Sequence, residues 1–318
     1  MLRRHLGGLA LATLAFPAVA QGDKVIKLVV GFPAGQATDV IARLLAEALK
    51  NELGETVIVD NKPGQGGSIA LGLVARAAPD GTTMILAPLA SLVINPHLYK
   101  NVAYNTFSSF EPVARVCDLP LVLVVHPSLP VKTLPQLIAY AKANPDKLSH
   151  PSAGNGTLSH VVMEDFKTRA GLKILHVPYQ GSPPAMNDLL AGTVQVAMDT
   201  VTVTKPHIDS GRLRLIAAGT LQRLPMFPDT PTIAEQSFPG LEAVAWLGVL
   251  FPAQTPADKV KRMSDALGKV INDPAMQEKF RVAGTIPRYM PTVEFAAFLK
   301  NEDQRWSKVI ASSGLKTD

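Results

Sequence analysis

The feature that most constrains this chain is the repeated alternation of short apolar strand patterns with amphipathic helix patterns. Residues 25–32, VIKLVVGF, predict a buried strand, because apolar residues follow one another without two-residue alternation. Residues 39–53 place apolar side chains at three- and four-residue spacing, which predicts a helix ending at Gly54. Further strands are predicted over 56–61 and 82–88, with a helix between them. This order predicts an α/β fold with a parallel sheet and crossover helices.

A second unit of the same kind begins near residue 120. The segment PLVLVVHP over 120–127 is a strongly apolar strand pattern. The sequence Thr133-Leu134-Pro135-Gln136 then forms a capping box that predicts a helix to about Asn144. Further elements of this unit are helices over 159–170 and 184–192 and strands over 173–179, 194–200 and 213–219.

The C-terminal tail is predicted to be helical and to return to the first unit. Thr255, Asp273 and Thr292 are predicted to cap its three helices. Aromatic and apolar residues of the last helix are interpreted as core rather than as a binding surface. The domain prediction is therefore a first lobe of residues 21–122 plus 247–318 and a second lobe of residues 123–246. Two strand crossings between them, near 120–126 and 244–251, would form a hinge around a cleft.

The N-terminus carries the pattern of a secretory signal peptide. Residues 1–20 combine a short basic start, an apolar stretch too short and too broken to span a bilayer, and the small-residue site Ala18-Val19-Ala20. The mature chain is expected to begin near Gln21, in an exported protein. Removing Arg3 and Arg4 lowers the formal net charge from +5 to +3, with no basic stripe left to indicate nucleic-acid binding. The single cysteine, Cys117, is interpreted as a buried structural thiol.

Two small, polar loops occupy the places where ligands bind in open α/β sheets. Residues 33–38 follow a strand and begin a helix, so their free N–H groups and the helix dipole suit an anion. From this segment alone, an ordinary strand–helix turn is the favoured interpretation. Residues 152–160, SAGNGTLSH, form a similar small, polar loop at the start of a helix in the second unit. Together they predict a clamp for a carboxylate or a similar small anion.

The chain as a whole resembles a known family of receptors. The segments GFPAGQATDVIARLLAEAL, HPSAGNGTLSH and HVPYQGSPPAMNDLLAGTVQVAMD are similar, in order and with others over nearly the whole mature chain, to Bug-type substrate-binding proteins of tripartite tricarboxylate transporters. The resemblance implies a type II periplasmic binding-protein fold, with two Rossmann-like lobes, a two-strand hinge and a central cleft. It also implies a small carboxylate ligand, no cofactor, a monomer, and delivery to an integral membrane permease. Dicarboxylates, tricarboxylates, amino-acid carboxylates and aromatic carboxylates all remain open.

The resemblance also implies where the ligand is held. Its contacts would lie on the first-lobe loop, on the loop after the third strand and on three second-lobe segments: Phe32, Pro33, Gly35, Gln36, Thr38, Asp39, Ala90, Ser91, Ser152, Ala153, Asn155, Gly156, Thr157, His160, Tyr179, Gln180, Asp199 and Thr200.

Several of these residues have an ordinary structural explanation as well. Asp39 is accounted for equally well as a first-turn capping residue and as a ligand contact. A first-turn histidine such as His160 is more often structural than a ligand contact. Asp199 is expected to have a site role, and Tyr179 is expected to offer its hydroxyl to the cleft. Gln36 stands where the family usually has bare backbone, so it either contacts the ligand or narrows the entrance.

Catalysis and metal binding have little support in the sequence. There is no GxSxG nucleophile elbow and no HExxH motif, and the histidines show no metal-ligand spacing. We therefore expect no catalytic residues and no metal site. A secreted two-lobed enzyme acting on a small organic acid remains the alternative to a receptor.

Overall fold

The computed structural model describes residues 25–313, with side chains up to residue 311. The predicted signal peptide lies outside the described residues. Within 25–313, every helix is too short or too polar to cross a bilayer.

Ten strands and ten α-helices make up the described chain. The strands are β1 (Val25–Val30), β2 (Thr56–Asn61), β3 (Thr83–Pro88), β4 (Phe110–Val125), β5 (Ser149–Ser152), β6 (Leu175–Pro178), β7 (Val196–Thr200), β8 (Arg214–Ala218), β9 (Val244–Pro252) and β10 (Ile286–Pro291). The helices are α1 (Ala37–Leu53), α2 (Ser68–Val74), α3 (Asn95–Leu98), α4 (Leu134–Ala143), α5 (Leu158–Ala170), α6 (Ser182–Leu190), α7 (Val201–Asp209), α8 (Ala257–Asn272), α9 (Pro274–Val282) and α10 (Thr292–Ser313).

The main sheet is parallel where the sequence predicted it to be. Strand β1 pairs in parallel with both β2 and β3, and α1 and α2 cover the crossovers. On its other side β3 pairs with β9, which runs antiparallel, and β9 pairs with β4. The path through the sheet is β10-β4-β9-β3-β1-β2, so the returning C-terminal segment completes the sheet that the N-terminal segment begins.

Strand β4 connects two halves of the molecule. Its first part, residues 110–120, pairs with β9, whereas residues 121–125 pair with β7 and β8. The chain crosses again before β9, where the Leu121 N–H donates to Ala243 O and the Gly219 N–H donates to Leu121 O, each at 2.9 Å. We call the elements on the β1–β3, β9 and β10 side the first lobe and those on the β5–β8 side the second lobe.

Most helix ends follow the predicted signals. Gly54 ends α1 in the left-handed conformation, with φ of 67°. The Thr133 hydroxyl accepts from Gln136 N–H at the start of α4, and Asp273 accepts from Met276 N–H at the start of α9. The prediction for Thr255 is wrong, because its hydroxyl donates to the Pro252 carbonyl and Pro256 precedes α8.

The last helix of the tail packs against β4 and β10. Phe295, Leu299 and Trp306 of α10 are buried. Trp246 on β9 meets Phe295 edge-on, with ring centroids 5.8 Å apart. Cys117 is also fully buried, and burial raises the pKa of its thiol. These residues hold the two crossing strands in place and are not available to a ligand.

Candidate functional site

Four helices begin at the cleft between the lobes. The residues that precede them are Gln36 before α1, Thr157 before α5, Gly181 before α6 and Thr200 before α7, and none of these four residues caps its own helix with a side-chain hydrogen bond. The first N–H groups of a helix have no partner within the helix, and the dipole makes that end positive. The cleft therefore gathers neutral hydrogen-bond donors from both lobes.

The larger of two cavities at the cleft has a volume of about 240 Å³, below the roughly 300–1,000 Å³ typical of pockets for drug-sized ligands. Neither a basic nor an acidic side chain lines it, and six of its sixteen lining residues are glycines, which leave the backbone uncovered. We call it the outer cavity. It is lined by Gly31, Phe32, Pro33, Pro63, Gly64, Gln65, Gly66, Gly67, Tyr99, Ala153, Gly154, Asn155, Pro178, Tyr179, Gln180 and Gly181.

A smaller cavity of about 50 Å³ lies deeper in the cleft, and we call it the inner cavity. It shares Phe32 and Ala153 with the outer cavity but is mainly apolar, with Asp199 as its ionisable group. Its lining residues are Phe32, Gln36, Ala37, Thr38, Pro88, Ala90, Leu119, Leu121, Ala153, Thr157, Leu158, Ser159, Ser182, Asp199, Thr200 and Ala245.

Asp39 lies outside both cavities. Its carboxylate accepts from Gly35 N–H, from Asn61 Nδ2 and from two nitrogens of Arg43, each at 2.9 Å. Burial alone would raise the pKa of Asp39, but these hydrogen bonds outweigh it and lower the pKa. Of the two interpretations left open by the sequence, this geometry favours a carboxylate that shapes the first-lobe loop.

The second-lobe loop turns only some of its predicted residues toward the cleft. Ala153, Asn155 and Thr157 line the cavities, and the Thr157 hydroxyl donates to Gly154 O at 2.7 Å. The other predicted residues of this loop, Ser152, Gly156 and His160, line neither cavity. The same is true of two predicted first-lobe residues, Gly35 and Ser91.

Behind this loop lies a stack of three histidines. The His176 ring lies between those of His150 and His160, at centroid distances of 4.9 and 4.2 Å and interplanar angles of 22° and 17°. Burial lowers the pKa of His160 to about 4 and, with the neighbouring rings, that of His176 to about 3. Burial lowers the pKa of His150 as well, so all three are neutral at physiological pH.

The stack does not suit a shared metal ion. His160, Glu164 and His176 bring ligand atoms within 4.8 Å of one another. However, an imidazole binds a metal in its own ring plane, and one ion cannot lie in two nearly parallel planes stacked 4.2 Å apart. In addition, Lys167 Nζ donates hydrogen bonds to both carboxylate oxygens of Glu164, at 2.7 and 2.9 Å.

A serine–histidine contact in the same region is not arranged as a nucleophile. Ser152 Oγ lies 2.7 Å from His176 Nε2 and also accepts from Gly154 N–H. The Ser152 side chain lines neither cavity, so a cleft-bound ligand would not meet it. The lowered pKa of His176 makes it a weak base. The contact instead fixes the position of the loop.

The remaining predicted residues lie at the carboxyl ends of β3, β6 and β7. Tyr179 and Gln180 line the outer cavity, and Ala90, Asp199 and Thr200 line the inner one. The prediction that Tyr179 offers its hydroxyl to the cleft is wrong, because the hydroxyl donates to Asp188 at 2.5 Å. Burial and this neighbouring carboxylate raise the pKa of Tyr179 to about 12.

The sequence analysis missed several residues that line the cavities. Chief among them are the loop 63–67 after β2, Tyr99 after α3, and Ser182 at the start of α6. The glycine-rich PGQGG run was a usable signal, since it follows a parallel strand at the same sheet edge as the first-lobe loop. Tyr99 had no such signal, because only the folded chain brings it to the cleft.

Two α/β lobes joined by crossing strands around a donor-lined cleft define the class of two-lobed solute-binding proteins. Within that class, the chain belongs to the tripartite tricarboxylate transporter family of receptors, whose family model, TctC, matches residues 41–315. It is 34% identical to the protein BugT of Bordetella pertussis over 314 residues, covering 97% of this chain and 96% of BugT.

Solved structures agree with this assignment. The periplasmic binding protein BugD is 35% identical, with a TM-score of 0.89 over 92% of this chain and 99% of BugD. An R. palustris protein solved with adipate is 32% identical, with a TM-score of 0.90 over 93% of this chain and 99% of that one. MatC from Rhodopseudomonas palustris, solved with bound malate, is 28% identical, with a TM-score of 0.84 over 93% and 100% of the two chains.

Proposed function

We propose that this protein captures a small carboxylate in the cleft between its lobes and delivers it to the membrane permease of a tripartite tricarboxylate-type transporter. The ligand class includes dicarboxylates, tricarboxylates, amino-acid carboxylates and aromatic carboxylates. The single observation that carries the proposal is the outer cavity, which presents glycine backbone, including Gly67 before α2 and Gly181 before α6, without a lysine or an arginine.

Neutral donors are sufficient to hold such a ligand. A hydrogen bond to a charged group contributes roughly 1.5–3 kcal/mol. Three or four such bonds sum to about 4.5–12 kcal/mol, a range that includes the roughly 8 kcal/mol of a micromolar dissociation constant. Two relatives of the same fold support the ligand class, since one was solved with adipate and the other with malate.

Capture would proceed by closure of the lobes about the strands that cross between them. A carboxylate would first dock on the loop of one lobe, and the other lobe would then supply further N–H and hydroxyl donors. The closed outer surface would differ from the open one, and a permease can recognise that difference. The lobe boundaries predicted at 122/123 and 246/247 stay a prediction about which residues move together.

We further propose export to the periplasm after cleavage near Ala20 and action as a monomer that returns its ligand chemically unchanged. The family and its solved neighbours are binding proteins rather than enzymes, which supports the last point. Intact-mass measurement of the mature protein tests the cleavage site. Mass spectrometry of the ligand before and after incubation distinguishes a receptor from an enzyme.

A thermal-shift screen tests the ligand class directly. Purified protein would be heated with carboxylic acids and with the matching uncharged amides, such as succinate against succinamide. We expect at least one acid to raise the melting temperature while its amide does not. A chain stabilised equally by acid and amide, or by none of the acids, would contradict the proposal.

A further inference from the structure

The Gln36 side chain reaches across the cleft from the first lobe to the second. Its Oε1 atom accepts a 3.0 Å hydrogen bond from the backbone N–H of Ser182, the first residue of α6. Gln36 itself precedes α1 and is only 9% exposed. Its carboxamide therefore bridges the N-terminal ends of two helices, one from each lobe.

This bridge lies between the two cavities. Pro33 and Gly181 line the outer cavity, whereas Gln36 and Ser182 line the inner one. The lobes approach closely here, since a Cβ added to Gly181 would lie 2.5 Å from Pro33 Cγ and 2.9 Å from Gln36 Oε1. Two residues from each lobe thus form the partition at this point.

Gln36 also occupies a donor that a ligand would otherwise use. The first N–H groups of a helix favour an oxygen acceptor, most of all one that carries negative charge. The neutral Gln36 oxygen already takes the Ser182 N–H. A ligand carboxylate therefore cannot use this N–H while the bond between the lobes is formed.

The space beyond Gln36 suits a different chemistry from the outer cavity. Leu119, Leu121 and Leu158 make much of the inner lining apolar. Asp199 is the acidic group there, and it accepts from Thr200 N–H at 2.6 Å. A second carboxylate beside buried Asp199 would meet like-charge repulsion, whereas an apolar chain would not.

We propose that Gln36 is a specificity-determining residue, which confines the ligand to the outer cavity by sealing the inner one. This inference rests on the proposed capture of a carboxylate. Removal of the side chain would join the two cavities and admit an acid with a longer apolar chain. It would not admit a longer dicarboxylate, because Asp199 would face the second charge.

Calorimetric titration of four forms of the chain tests this inference. The ligands are the monocarboxylates butyrate, hexanoate and octanoate and the dicarboxylates succinate, adipate and suberate. The forms are wild type, Gln36→Ala, Gln36→Leu and Gln304→Ala, the last at an exposed position of α10. Alanine suits the Gln36 backbone, which has φ of −75° and ψ of 156°. Leucine keeps the bulk of the side chain without its acceptor.

We expect Gln36→Ala to raise the affinity for octanoate relative to butyrate about tenfold while leaving the ratio of suberate to succinate within about threefold. Gln304→Ala should keep the wild-type chain-length profile, and Gln36→Leu, which keeps the bulk between the cavities, should gain less for octanoate than Gln36→Ala does. An unchanged profile in Gln36→Ala, an equal gain for suberate, or loss of all binding by the folded variant would overturn the inference. If wild type binds no carboxylate in this panel or in the thermal-shift screen, the proposed function fails instead.

Discussion

The hydroxyl of Tyr99 donates a 2.7 Å hydrogen bond to the backbone carbonyl of Asn155, and so joins the first lobe to the binding loop of the second. Both residues line the outer cavity. Together with the bond between Gln36 and Ser182, this contact holds the lobes in a closed arrangement.

The first prediction concerns this tyrosine. Tyr99→Phe removes the donor but keeps the ring, so the closed state should lose about 1 kcal/mol, or about fivefold in ligand affinity. Calorimetry measures the affinity, and small-angle scattering of the ligand-free chain should show a larger radius of gyration. Tyr140→Phe on α4 of the second lobe serves as the control. Unchanged affinity and dimensions in Tyr99→Phe would contradict a role in closure.

The second prediction concerns the close approach of the lobes at Gly181. Gly181→Ala would place a Cβ 2.5 Å from Pro33 Cγ, so we expect it to prevent full closure and to weaken ligand binding about a hundredfold. Gly181 also has φ of 110°, which strains any other residue. The control is therefore Gly211→Ala, where φ is 70° and no atom lies within 4 Å of the added Cβ. Equal effects of the two variants would indicate strain rather than obstruction.

The third prediction separates support of the binding loop from contact with the ligand. Asp39→Ala would remove the acceptor of Gly35 N–H and of side-chain nitrogens of Asn61 and Arg43, which should lower the free energy of unfolding by about 2 kcal/mol in urea denaturation. Asp258→Ala, at an exposed first-turn acid of α8, should change it by no more than about 0.5 kcal/mol. A large loss of affinity with no loss of stability in Asp39→Ala would instead identify a ligand contact.

The fourth prediction is a pH dependence that arises from the histidine stack. His160 and His176 stay neutral in the folded chain to about pH 4 and pH 3, whereas an unfolded histidine takes up a proton near pH 6.5. Between these limits the unfolded state binds more protons, so stability should fall as the pH falls from 6.5 toward 4.

The charged neighbours of the stack affect this dependence differently. Glu164, which bonds His150 and Lys167, has its pKa lowered to about 2 and adds a further loss of stability below pH 4.5. His176→Phe keeps a ring in the stack but removes one titrating group, so its urea midpoint should vary less between pH 4.5 and 6.5 than that of wild type. An undiminished slope in this variant would contradict the assignment.

The sequence was sufficient to predict the parallel part of the sheet and most helices. Helix α1 was predicted over 39–53 and is found at Ala37–Leu53, because burial of its apolar stripe fixes its bounds. The first ten residues of β4 were missed, since Pro112, Arg115 and Asp118 interrupt the apolar pattern. Arg115 and Asp118 form a buried ion pair with each other, which only the folded strand reveals.

Helix α7 and strand β10 were missed because their local sequences disfavour the secondary structure that they adopt. Helix α7 contains β-branched residues and Pro206, so its propensity is poor, yet packing against β4 and β7 holds it. Strand β10 contains Pro287 and Pro291 and is accommodated by a register shift at the edge of the sheet.

The candidate site was predictable in kind but not in detail. The glycine-rich loops and helix starts predicted neutral donors at the cleft, and the structure brings them together there. Which side chains face the cavity depends on tertiary partners far away in sequence. Asn61 donates a hydrogen bond to Asp39, and the Tyr179 hydroxyl donates one to Asp188, so neither group faces the ligand.

A crystal structure of the chain with a carboxylate identified in the thermal-shift screen tests the central claim most directly. We predict that the carboxylate oxygens lie about 2.7–3.1 Å from backbone N–H groups or hydroxyls of both lobes, without a lysine or an arginine in contact. A carboxylate paired with a basic side chain, or a cleft left empty while the acid binds elsewhere, would contradict the account.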